Sequence, residues 1–222
     1  RIVGEVMDRP LRPADSNLPD MLMAVVCDGM GGMEHGEFAS RTVCDELVEW
    51  AASTAQRTTE GMKPSFLDAL KNAEKTIRET KARSGTTMTA VLAADGCWIS
   101  ANIGDSRCYR VSGDEIWRTR DDSPVEDMFR RGEITEDEMN TSAISNLLDL
   151  YVGGGDSLRT TFSDLGDEWD RLALCSDGAF GYMPVIDFRE LVRNADTPDM
   201  ITQTAYARGS TDNITVLTVD AL

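Results

Sequence analysis

Apolar and polar positions follow two different periods along the chain. Short, mostly apolar runs at 22–27, 87–93, 98–103, 107–111, 172–175 and 214–219 have strand length, are rich in β-branched residues and are mostly bounded by Gly or Asp. Asp95-Gly96 and Gly113-Asp114 carry hairpin-turn chemistry, which predicts antiparallel neighbours. Ala39, Val43, Leu47, Trp50 and Ala51 recur at helical spacing, as do Phe66, Leu70, Ala73 and Ile77. The second set follows Ser65-x-x-Asp68, which resembles a capping box with Asp for Glu and predicts a helix start there. Ser123-Pro124, Thr135-x-x-Glu138 and Thr197-Pro198 are further helix starts. Adjacent helices, a meander of strands, short helices and strands again do not alternate as a doubly wound fold would. The order predicts an α+β fold, an antiparallel sheet covered by helices. No repeat or Pro/Gly/Ser-rich linker divides the sequence, so residues 1–222 are read as one domain.

Composition narrows the chemistry. The 222 residues hold 22 Lys+Arg against 39 Asp+Glu, a formal charge of −17, which argues against nucleic-acid or anionic-membrane binding through bulk electrostatics. Five cysteines, an odd number without a C-x-x-C pair, argue against a disulfide scaffold and suit a reducing, cytoplasmic compartment; no secretion signal is visible. With His35 as the single histidine, a multi-histidine zinc site is excluded. No Gly is followed by Lys, so a Walker-type phosphate loop is absent. Oxygen-ligand metal chemistry remains.

Two apolar runs end alike, Val26-Cys27-Asp28-Gly29 and Cys175-Ser176-Asp177-Gly178, and Asp212 stands just before the last run. Asp is poor inside a strand and suited to its end. If these ends share one rim, carboxylates from distant segments meet there and repel unless a cation lies between them. Magnesium or manganese suits such oxygen ligands, and Gly29 lets the backbone approach so that its carbonyl can join. Asp-Gly after a strand is equally a simple turn signal.

Taken together, Val26-Cys27-Asp28-Gly29-Met30-Gly31-Gly32 with Gly36-Glu37, Ser84-Gly85-Thr86-Thr87, Asn102-Ile103-Gly104-Asp105-Ser106-Arg107, Cys175-Ser176-Asp177-Gly178 and Gly209-Ser210-Thr211-Asp212-Asn213 resemble the ordered signature of the metal-dependent protein phosphatases of the 2C type. The resemblance implies an α-β-β-α sandwich of two antiparallel sheets flanked by helices. It also implies hydrolysis of phosphoserine and phosphothreonine in proteins by water activated between two manganese or magnesium ions, with a third ion in bacterial members. Asp28 would bridge both ions, the Gly29 carbonyl would bind one, and Asp177 and Asp212 would complete the other site. Asp8 would orient metal-bound water, Asp121 would pair with Asp177 around a third ion, and residues 123–148 resemble the bacterial flap. Gly104-Asp105-Ser106-Arg107 and Ser84-Gly85-Thr86-Thr87 are read as structural.

Three positions depart from the family pattern. Met7 replaces the first acid of the N-terminal pair. Val3 stands where a phosphate-binding Arg is usual, leaving Arg1 as the nearest substitute. Met33 stands where bacterial members carry His, and His35 is the alternative proton donor or a surface residue. The expected protein is a monomeric serine/threonine phosphatase acting on the phosphoproteins of a cognate kinase. The alternative is a pseudophosphatase that keeps the fold and acts by protein contact.

Overall fold

Two tight turns set the first pairings. Asp95 and Gly96 both adopt positive φ (51° and 74°), the mirror-image turn whose twist matches a hairpin, and they join β2 (Met88–Ala94) to β3 (Cys97–Ile103). Gly113 (φ 55°) and Asp114 join β4 (Arg107–Ser112) to β5 (Glu115–Arg118), a strand that the apolar pattern was too short and polar to reveal. In the computed structural model, which describes residues 21–30, 35–80, 84–155 and 158–221, these hairpins seed two sheets. β1 (Met21–Val26) and β6 (Thr161–Asp164) flank the first in the order β1-β2-β3-β6; β7 (Arg171–Cys175) and β8 (Val216–Asp220) extend the second as β5-β4-β7-β8. Every strand pair described is antiparallel.

The continuous apolar character of β2 and β7 follows from burial on both faces. Ala90, Leu92 and Ala94 point to α1 (Gly36–Ser53) and α2 (Thr59–Glu79), whereas Val91 and Ala93 point to the other sheet. In β7, Leu172 and Leu174 fill the space between the sheets with Trp98 and Trp169, whose ring centroids lie 4.9 Å apart. Ala173 and Cys175 face α5 (Asp177–Phe180), α6 (Val185–Asn194) and α7 (Pro198–Ala207). The layers are therefore helix, sheet, sheet, helix, as the resemblance implied.

Helix ends separate correct from incorrect sequence signals. Thr135 and Glu138 form the expected capping box of α4 (Glu136–Thr141), and Ser123 caps α3 (Pro124–Arg130). The start read at Ser65 is corrected. Thr58 caps α2 by accepting from Gly61 N at 3.2 Å, which leaves Ser65 inside the helix, bonded to Met62 O and accepting from Trp50 Nε1 at 3.1 Å. The distant Trp50 contact, a tertiary event, claims the hydroxyl that local sequence assigned to a cap. Among the described residues, no helix is long and apolar enough to cross a membrane.

Candidate metal centre

The first carboxylate is held by its backbone. Asp28 follows the last residue pair of β1, and its N–H donates to Thr87 Oγ1 (3.1 Å) while its carbonyl accepts from Thr87 N and Thr86 Oγ1 (both 2.9 Å). Thr87 Oγ1 lies 2.7 Å from Ser106 Oγ. Ser84-Gly85-Thr86-Thr87 is thus a buttress for Asp28, consistent with its structural reading. Gly29 is required by close approach: a Cβ there would stand 2.1 Å from Gly36 O, at the start of α1.

The second and third carboxylates come from loops sewn together by serines. Ser176 Oγ donates to Asn213 O (3.2 Å) and accepts from Thr215 N (3.0 Å), and Ser210 Oγ donates to Gly178 O (2.9 Å). A Cβ on Gly178 would meet Asn213 O at 2.5 Å, so glycine lets the two loops touch. Asp177, opening α5, and Asp212, before β8, are brought to the same rim as Asp28.

There the side chains interact directly. Burial foremost, then the charge of Asp177, the hydrogen-bonding influence of that carboxyl and the charge of Asp212 push the Asp28 carboxyl up to about 8. Burial and the Asp212 charge also raise Asp177. Asp177 Oδ1 is buried without a hydrogen-bond partner. Among the described residues no three His, Cys, Asp or Glu side chains close into a finished ligand cage. The residues nonetheless fit a hard divalent cation: an orphaned carboxylate oxygen, mutually repelling acids and all-oxygen donors.

Asp105 joins this group, although its motif had been read as structural. It lines the cleft with Asp177 and Asp212, and its carboxyl is raised well above the usual range by burial first and then by Asp177 and Asp121, with Arg107 opposing. A partial signal was present: Asp105, like Asp28, stands just past a strand end.

Asp121 is gripped by arginine. Its Oδ1 and Oδ2 accept from Arg107 Nε (2.9 and 3.1 Å), Oδ2 also accepts from Arg107 Nη2 (2.7 Å), and Arg118 Nη1 lies 3.6 Å away. Arg107 and Arg118 thus neutralise Asp121, which lines the cleft together with Asp105 and Asp177. The His35 side chain is 63% exposed and is not among the cleft-lining residues. It precedes α1 in a left-handed conformation (φ 63°), and its carbonyl accepts from Ser84 Oγ at 2.8 Å. Asp8 and Arg1 lie outside the described residues.

The carboxylates open onto a cleft of about 280 Å³. One wall is polar, from Asn140 to Asn146; the other carries Tyr182, whose hydroxyl lies 3.0 Å from Thr211 Oγ1 beside Asp212.

The sequence profile of protein phosphatase 2C matches residues 15–215. The chain is 32% identical to the serine/threonine phosphatase stp of Listeria innocua serovar 6a, over 89% of this chain and 84% of that one. It is 29% identical to the protein phosphatase PhpP of Streptococcus pneumoniae serotype 2, over 89% and 85%. The crystal structure of serine/threonine phosphatase Stp1 from Staphylococcus aureus superposes with a TM-score of 0.80 at 28% identity, covering 90% of this chain and 83% of that one.

Proposed function

The chain belongs to the protein phosphatase 2C family, and from that premise we infer that it hydrolyses phosphoserine and phosphothreonine in proteins at the rim of Asp28, Asp177 and Asp212. The observation that carries this reading is the convergence of Asp28, Asp177 and Asp212 close enough to raise one another's carboxyls, with Asp177 Oδ1 buried and orphaned. Asp28, the Gly29 carbonyl, Asp177 and Asp212 would hold two manganese or magnesium ions, and Asp105 with Asp177 would serve a third. Such ions supply Lewis-acid charge for a phosphoryl oxygen and acidify water at neutral pH.

The chain's own residues supply the rest. The Thr86 and Thr87 hydroxyls and the Thr87 N–H bond the Asp28 backbone and fix it before any ligand arrives, so little reorganisation remains for the reaction. The serine stitches hold Asp177 and Asp212 in register. The cleft lined by Asn140, Ser142, Asn146 and Tyr182 is where the phosphoryl-bearing segment of the substrate would lie. Asp8 orienting water and Arg1 holding phosphate complete the proposal from sequence, and the phosphoprotein would come from a serine/threonine kinase.

Val3, Met7 and Met33 favour a second reading, a regulatory protein that keeps the fold without turnover. Hydrolysis of p-nitrophenyl phosphate and of a phosphothreonine peptide, with manganese and with EDTA, separates the two. Manganese-dependent turnover is expected; a folded chain with none is the regulatory protein.

A further inference from the structure

The polar cleft wall hangs between two anchors on opposite sides of the same strand junction. The first anchor is Asn140, in the last turn of α4, whose Oδ1 accepts from Arg107 Nη2 at 3.1 Å. Arg107 is itself immobile: it grips Asp121, donates from Nη1 to the Tyr109 hydroxyl (3.2 Å) and lies 3.9 Å over the Phe180 ring. The second anchor is Asp149, whose N–H donates to Asp122 O at 2.9 Å; Asp122 Oδ2 in turn accepts from Gly104 N at 3.0 Å. Asp105, next to Asp177, sits between these anchor points.

From Ser142 to Leu148 the chain is largely exposed and held by local turn bonds such as Ser145 N to Ser142 O and Leu147 N to Ile144 O. Thr141, Ser142, Ser145 and Asn146 line the cleft. The other end of α4 is independently tied, with Glu136 bound by Arg118 and Arg189, and Asp137 Oδ1 accepting from Val185 N at 2.8 Å. The Asn140 bond therefore governs the strap beyond the helix and not the helix as a whole.

We propose that Asn140 is a positioning residue that holds the 141–149 strap at the width a phosphoprotein needs, acting through Arg107 and without touching the phosphoryl group. This rests on the phosphatase reading above. A strap released at one end samples more conformations, and a protein substrate must then order it on binding. A small aryl phosphate reaches the carboxylates with far less contact with the wall. The hydrogen bond has a charged donor, so its loss weighs more than that of a neutral pair.

The test compares wild type, Asn140→Ala and Asn140→Asp, the last keeping an acceptor oxygen for Arg107. With manganese, Asn140→Ala is expected to raise KM for a phosphothreonine peptide by roughly tenfold with kcat nearly kept, a larger loss of kcat/KM than for p-nitrophenyl phosphate; Asn140→Asp restores the peptide KM. Amide hydrogen exchange over 141–149 should quicken in the Ala variant and return in the Asp variant. That readout does not require turnover, so it stands if the chain proves inactive. Equal losses on both substrates, no rescue by Asp, or unchanged exchange would each overturn the proposal.

Discussion

Two groups of buried carboxylates lie side by side in this molecule and have opposite surroundings. Under the flap, Asp121, Glu126 and Glu136 surround Arg107 and Arg118, with Arg130 and Arg189 at the edge; Arg118 is 5% exposed and Glu126 fully buried. At the rim, Asp28, Asp177 and Asp105 are raised above the usual carboxylate range by burial and by one another's charge. Both groups are acidic and screened from water. The first carries its cations in the sequence, and the second would take them from outside under the proposed function. Removing the sequence's own arginine from the rim's side of this balance is how the fold distinguishes a strut from a ligand site.

The sharpest break is Asp177→Asn. Losing a carboxylate that serves two of the three proposed ion positions is expected to lower manganese-dependent turnover by at least about a thousandfold, equivalent to roughly 4 kcal/mol of barrier, while the metal-free melting temperature holds or rises because a repulsion is relieved. Arg118→Met, on the strut side, should do the reverse. It strands Glu126 and Glu136 without their shared partner and is expected to cost about 3–5 kcal/mol in urea unfolding. An unaffected urea midpoint would remove the strut from the comparison.

Titration sharpens the contrast. Asp28 has its ordinary value of 3.8 in the unfolded chain and about 8 in the fold, so the native state holds a proton that the unfolded state has released. Stability of the metal-free protein is therefore fully present below about pH 4 as far as this group is concerned, and it declines as pH rises toward 8. Asp177 and Asp105 shift in the same direction. Thermal melts across this window should show the decline, a smaller slope in Asp28→Asn, and a manganese-induced gain that grows with pH. The smallest effect belongs to His35→Gly. Relief of a left-handed φ at an exposed site should leave turnover intact and change stability by less than about 1 kcal/mol.

Much of the site was legible because its rule is local. A strand that stops at Asp-Gly announces itself in Val26-Cys27-Asp28-Gly29 and Cys175-Ser176-Asp177-Gly178, whereas in Ile103-Gly104-Asp105-Ser106 the acid follows the strand end without a Gly after it. The arginine grip on Asp121 was not legible because ion pairing is not local: Arg107 and Asp121 belong to different segments, and no spacing shows that Arg107 turns to Asp121 and not to its neighbour Asp105. Ser65 misled in the same manner, its hydroxyl claimed by Trp50 from another helix. β5 and β6 escaped because short, half-exposed edge strands bury too little to need an apolar run.

Sequence alone determined the periodicities, the turns, the order of the motifs and hence the family, since each depends on neighbours along the chain. Tertiary structure alone decided which acids are answered by arginine and which face one another unanswered. Charge compensation acts across a few ångströms of space, and the chain's order says little about who stands at that distance.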